Sequence, residues 1–240
     1  MKTKQAYFED TYRFEGESEI IEICDFNGST GIILASTIFY PQGGGQACDT
    51  GKLQCQGRTF NVEKVVWQDG EIVHFCKDDL MVCKGLVGQA CKMMIESEKR
   101  LKHAKLHSGG HLIDDLIKKE LPHLQVTKGH HFPGQSYLTL EGKVDDLPAL
   151  VEQLNGFITQ QIDARLNFRC RLEEVSSLAS LIEKLPYEVP KDKPLRVAQI
   201  GESLPVPCGG THVKNSQELK GLSVSKAKRK SGSIKISYTI

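Results

Sequence analysis

The chain has 240 residues, 39% hydrophobic and 25% charged, the balance of an ordinary globular protein with core enough for one large domain or two small ones. Its formal charge of +1 excludes a global field that draws in anions, so an anionic partner must be met by a local basic patch. The opening MKTKQAYFED lacks the apolar core of a secretion signal and no run reaches the length of a membrane span, so the expectation is a cytoplasmic protein without a membrane partner.

Residues 12–83 read as short β-prone runs separated by turn signals. Residues 18–24 alternate, Asn27-Gly28 is a hairpin turn, and residues 31–40 continue as a strand. Further strands are predicted at 51–55, 58–67 and 71–75, with Gln56-Gly57 and Asp69-Gly70 as the turns between them. Strands at this spacing predict a small barrel or a sandwich. Inside the region, Gly43, Gly44 and Gly45 form either a flexible connection or a substrate loop. No Lys-Ser/Thr follows them, which excludes a nucleotide-phosphate loop.

The period becomes helical from about residue 95, with the domain boundary between Lys84 and Lys92, and Pro122 stops the helix. Gly109 and Gly110 each cost about 1 kcal/mol inside a helix, which predicts that something passes close to that backbone. Residues 128–133 read as a loop and 135–141 as a strand. Asp145 and Asp146 precede a helix with Leu150, Leu154, Ile158, Ile162 and Leu166 on its core stripe. Residues 173–185 read as a helix ended by Pro186, 195–200 as a strand, and 221–227 with 233–240 as a hairpin turning at Ser231-Gly232.

Two half-sites carry the chemistry. His107 and His111 lie four residues apart on a predicted helix, so both imidazoles share one face. Cys208 and His212 have the same spacing in a loop after Pro205 and Pro207. Together they supply a His, His, Cys and His set for one zinc ion. The eight cysteines contain no Cys-x-x-Cys, so a zinc ribbon or thioredoxin-type site is excluded and the thiols are expected to be reduced. His103, His130 and His131 are read as surface or core histidines. Lys99, Arg100, Lys102 and Lys105 form one basic cluster and Lys226, Lys228, Arg229 and Lys230 another. Each is either a solvated face or, if it faces the metal, a phosphate track for nucleic acid.

The ordered motifs FYPQGGGQACDTG, HSGGH and PLRVAQIGESLPVPCGGTHV, followed by a basic hairpin, resemble the AlaX proteins, free-standing homologues of the alanyl-tRNA synthetase editing domain. The resemblance covers almost the whole chain. It implies an α+β fold class, with a small β-barrel-like domain over 1–90 followed by an α+β zinc-binding editing domain over 91–240, and a zinc-dependent hydrolase that removes serine or glycine from mischarged alanine tRNA. It also implies one Zn²⁺ per chain on His107, His111, Cys208 and His212, with Gln46 in the editing pocket and Thr37 at the threonine before Phe-Tyr-Pro. With tRNA as partner, Lys226, Lys228, Arg229 and Lys230 become candidate tRNA contacts. Where the synthetase pattern usually has Thr-Ala-Thr between the histidines, this chain has Ser108-Gly109-Gly110, which places the preferred amino acid in question. A chain of 240 residues has no room for an adenylating domain, so action on tRNA charged elsewhere, without ATP, is expected. Four protein ligands are typical of structural zinc, whereas a catalytic site keeps a position open. A non-catalytic tRNA-binding module and a metallohydrolase of small esters or amides are therefore the alternatives.

Overall fold

The computed structural model describes residues 3–26, 28–77, 83–182, 188–190 and 194–240. They form two compact units, Met1–His103 and Ala104–Ile240, in an α+β architecture.

The first unit contains β1 (Lys4–Gln5), β2 (Glu15–Phe26), β3 (Ser29–Leu34), β4 (Ser36–Thr37), β5 (Gly51–Cys55), β6 (Arg58–Gln68), β7 (Glu71–Cys76) and β8 (Ala90–Ile95). Six strands close an antiparallel barrel in the order β2-β3-β7-β6-β5-β8, which decides between barrel and sandwich. Alternation puts Ile20, Ile32, Leu34, Leu53, Ile72 and Met93 in its core. Gln56-Gly57 and Asp69-Gly70 have positive φ at both residues, the geometry of tight hairpin turns that match strand twist. Asn27 lies outside the described residues.

The predicted strand over 31–40 is shorter in the structure. The chain leaves the sheet after Thr37 because side chains take its backbone donors: Phe39 N–H bonds Thr37 Oγ1 at 3.0 Å and Tyr40 N–H bonds Asp49 Oδ2 at 2.6 Å. The strand β8 was not read from the sequence, and it closes the barrel by pairing with both β2 and β5.

Helix α1 (Ser97–Glu120) carries the chain into the second unit. There follow β9 (Gln125–His130), β10 (Tyr137–Glu141), α2 (Leu147–Asp163), β11 (Phe168–Glu173), α3 (Ala179–Ile182), β12 (Leu195–Ile200), β13 (Val206–Pro207), β14 (Ser223–Lys230) and β15 (Ser233–Thr239). A four-stranded sheet runs β14-β15-β10-β9 and a three-stranded one β11-β12-β13. Leu112, Ile113 and Leu116 of α1 and Leu150, Leu154 and Ile158 of α2 share one core with the inward rows of the larger sheet. Asp146 caps α2 by accepting the Ala149 N–H at 2.9 Å. Asn155 ties α2 to β14, exchanging hydrogen bonds of 3.0 and 2.8 Å with the Val224 backbone.

Two expectations fail in this unit. Residues 128–130 are strand, not loop, because Gly129 and His130 pair with Leu138 and Tyr137. The predicted helix over 173–185 fails over its first residues, where pairing with β12 draws Glu173 into a strand and Val175–Leu178 form a 3-10 turn, while Ala179–Ile182 are helical as α3. Residues 183–187, including Pro186, lie outside the described residues.

Candidate metal centre

Helical geometry places His107 and His111 one turn apart, and the loop after β13 brings Cys208 and His212 to the same point. Their ligand atoms all lie within 4.8 Å of one another. His107 Nε2 is 3.2 Å from His111 Nε2, and Cys208 Sγ is 3.4 Å from His107 Nε2 and 3.2 Å from His212 Nε2. Donors bound to tetrahedral zinc at about 2.0–2.3 Å stand roughly 3.3–3.6 Å apart, and these three separations are close to the edges of such a site. Burial holds all three imidazoles neutral, His107 and His212 well below the usual range and His111 at about 3, and it pushes the Cys208 thiol up to about 11. Three neutral imidazoles and a thiol that gives up its proton to a cation are the donor set zinc takes.

The supports of the cluster come from residues that sequence spacing does not single out. Ser108 Oγ accepts the Val213 N–H at 3.0 Å and lies 3.2 Å from His212 Nδ1. With Nε2 turned to the cluster, Nδ1 carries the proton and donates it to Ser108, which fixes tautomer and ring direction. Arg196, buried on β12, donates to the carbonyls of Cys208 and Gly210 at 2.9 and 2.8 Å, and the Gly210 N–H points at Cys208 Sγ from 3.3 Å.

His131, expected as an ordinary core or surface residue, stacks on the His107 ring with centroids 4.8 Å apart and planes 15° from parallel. Its Nδ1 bonds the Tyr238 hydroxyl, which donates its own proton to Leu106 O at 3.1 Å. Tyr238 therefore accepts from His131 Nδ1–H, and burial keeps this imidazole neutral, with its pKa lowered to about 4. Two glycines make the room. A Cβ on Gly110 would lie 2.4 Å from His131 Cε1, and one on Gly129 would lie 2.8 Å from its Nε2. On Gly109 it would meet Leu222 Cδ1 at 2.8 Å, so the close approach expected at both helical glycines is present. His130 faces elsewhere, stacked on Phe132 with centroids 4.4 Å apart.

Within the barrel unit, the glycine loop is a closed turn rather than a flexible connection. Gly43 and Gln46 exchange backbone hydrogen bonds of 3.3 and 2.8 Å around Gly44 and Gly45, both at positive φ. The Gln46 side chain is fully buried. Thr37 is also fully buried, with Oγ1 2.7 Å from His74 Nε2. Because His74 Nδ1 donates to Ile32 O at 2.9 Å, Nε2 is the acceptor and the Thr37 hydroxyl donates to it. Burial lowers the His74 pKa to about 4, which keeps this arrangement at neutral pH. Sequence reading missed His74, which looks like any strand residue.

Residues 5–99 match the family described as tRNA synthetases class II (A). An alanyl-tRNA editing protein AlaX-M of Methanosarcina barkeri is 32% identical over 98% of this chain and 98% of its own length. The AlaX-L editing protein of Pyrococcus horikoshii is 29% identical over 98% of this chain and 57% of its length. An alanine–tRNA ligase of Methanothrix thermoacetophila is 27% identical over 95% of this chain and 25% of the ligase.

This chain belongs to the AlaX family of alanyl-tRNA editing proteins. The AlaX relatives align across both units, so the kinship extends beyond the barrel to the second unit. In this AlaX chain the C-terminal basic residues divide between two faces of β14. Lys226, Lys228 and Lys230 pair with Ser237, Lys235 and Ser233, on the side away from the core. Arg229 sits opposite the buried Ile234 and donates to Val144 O. Of the other basic cluster, Arg100 is fully buried against Asp49 and Lys99 pairs with Glu96 at 2.9 Å, so those two do not form a free cationic track.

Proposed function

We propose that this chain hydrolyses the ester between a wrong amino acid, serine or glycine, and alanine tRNA, using one Zn²⁺ held by His107, His111, Cys208 and His212. The observation that carries the reading is the convergence of those four donor atoms within 4.8 Å in a member of the alanyl-tRNA editing family. When bound, the ion would supply Lewis acidity toward the ester carbonyl. Ser108 holds His212 in the ligating tautomer and Arg196 holds the Cys208 loop. No step in this reading consumes ATP, and its tRNA substrate gives the protein a cytoplasmic place of work.

Selectivity is assigned to Thr37, with Gln46 as a second pocket residue and Gly43, Gly44 and Gly45 as the substrate loop. The Thr37 proton is committed to His74 and one lone pair to the Phe39 N–H. The remaining lone pair has a fixed direction and accepts from a seryl hydroxyl. Alanine offers no donor and leaves that buried acceptor unsatisfied.

Single-turnover deacylation of seryl-, glycyl- and alanyl-tRNA, with metal content assayed alongside, tests this. The wild type is expected to clear serine or glycine and spare alanine, and Cys208→Ala to lose both metal and activity. A zinc-loaded wild type that leaves all three esters intact would instead identify a tRNA-binding module with a structural ion. Thr37→Val is expected to lower the preference for seryl over alanyl ester by roughly 10- to 100-fold, the scale of one lost polar contact in a closed pocket; an unchanged ratio removes Thr37 from the pocket.

A further inference from the structure

We propose that the open face of the β14-β15-β10-β9 sheet docks the phosphate backbone of a helical RNA stem; the choice of an alanine tRNA stem as that RNA rests on the editing reading above. Register makes the face. Thr139 pairs with Lys128 on one side and Lys235 on the other, and Lys235 pairs with Lys228. One row therefore carries three lysines across four strands. Lys226 and Lys230 flank Lys228 at alternate positions, about 7 Å to either side along the strand. The opposite face carries Leu138, Leu140, Ile234 and Ile236 into the core.

The charge on this face is uncompensated. Lys4, Lys77, Lys92, Lys99, Lys118 and Lys119 all pair with carboxylates. Among the described residues, none of the five sheet lysines does. Glu141, at the end of β10, is the face's acidic member. Like charges directly opposite on neighbouring strands destabilise a sheet, and Lys228 faces Lys235 in that way. In a chain of net charge +1, such a concentration suits a polyanion that relieves the repulsion.

The aromatic groups decide what the surface reads. Lys235 Nζ lies 3.5 Å above the Tyr137 ring centroid, and His130 is stacked on Phe132. One face of each of these rings is taken by a cation or a neighbouring ring and the row beside them is lysine, so the sheet offers charge more than a platform for unstacked bases, which favours a stem over a single strand. A groove bordered by Tyr137, Lys226, Lys228 and Lys235 indents the face and extends to Tyr238. Tyr238 carries its side chain to the core face, where its hydroxyl contacts His131, stacked on His107, so β15 joins the docking face to the metal centre within the same unit.

The test is fluorescence anisotropy of an uncharged alanine-tRNA acceptor minihelix with the zinc-loaded full chain across a salt series. Lys228→Gln/Lys235→Gln is compared with Lys220→Gln, an exposed residue off the sheet. Each phosphate contact contributes about 0.9 to the slope of log Kd against log salt. The double variant is expected to lose about two in slope and to bind roughly tenfold or more weakly at low salt, with a melting temperature equal to or above wild type, while Lys220→Gln matches wild type. An unchanged Kd and slope in the double variant, or a wild type that does not bind the minihelix, overturns the proposal. Deacylation of the charged minihelix is followed in parallel. Weakened binding by the double variant of a protein that hydrolyses nothing would sustain the docking face and refute editing; hydrolysis with unchanged binding would do the reverse.

Discussion

Ser108 stands next to the first ligand in sequence and 104 residues from His212, whose ring it orients. Its hydroxyl oxygen is the acceptor for His212 Nδ1–H, so Ser108→Ala leaves that ring free to turn and the Val213 N–H without its partner. Loss of such a support costs metal sites roughly 10- to 100-fold in affinity. Competition with a chromophoric chelator should show that drop for Ser108→Ala and near-wild-type affinity for Ser108→Thr, which keeps the oxygen; equal affinity in all three would show that the ring is held by other groups. Spacing made the four candidate ligands legible at this scale: i and i+4 on a helix converge whatever the rest of the chain does, and Cys208 and His212 repeat that spacing in a glycine-containing loop. His131 and His74 were not legible, since what distinguishes them is the company of Tyr238, Gly110 and Thr37, residues far away in sequence.

Among the elements, α1 shows how a long helix anchors its surroundings by its first turns. Arg100 is fully buried, with Nε 3.0 Å from both Asp49 oxygens and Nη1 3.0 Å from Thr11 O. Asp49 in turn accepts the Tyr40 N–H and thereby closes the segment that contains the glycine turn. Removing one partner strands a buried charge, so Asp49→Ala is expected to destabilise the protein by about 3–5 kcal/mol in urea unfolding. Arg100→Met combined with Asp49→Ala should recover part of that loss; a double variant less stable than Asp49→Ala alone would show that the guanidinium still bonds usefully without the carboxylate. The sequence placed Arg100 in a basic patch because composition cannot distinguish a solvated cation from one inside an ion pair. The helix itself was readable over 95–121 from its formers and Pro122. The strand β8 was not, because a six-residue run becomes a strand only when β2 and β5 stand on either side of it.

For the whole molecule, acid stability has a predictable sign. The His74 pKa is about 4 in the fold, where burial disfavours the charged ring, against an ordinary value of 6.5. Between those values the unfolded chain binds more protons, so stability rises with pH across that window. The contribution is present above about 6.5 and lost as pH falls toward 4, roughly 3 kcal/mol in all. Urea titrations of the zinc-loaded wild type and His74→Gln should diverge in that direction, with wild type losing more on acidification; parallel curves would mean that the ring is protonated inside the barrel.

Local pattern by itself determined the run of strands before the first long helix, the hairpin turns at Gln56-Gly57 and Asp69-Gly70, the core stripe of α2 and the two candidate ligand pairs, because each depends on the periodicity or turn chemistry of a few adjacent residues. Tertiary structure alone decided that the strands close into a barrel and that both ligand pairs meet at one point. It also seated His131 between two glycines and turned Lys226, Lys228 and Lys230 away from Arg229. Those outcomes rest on strand register and on contacts between residues up to 132 positions apart, and short-range sequence pattern carries no information about either.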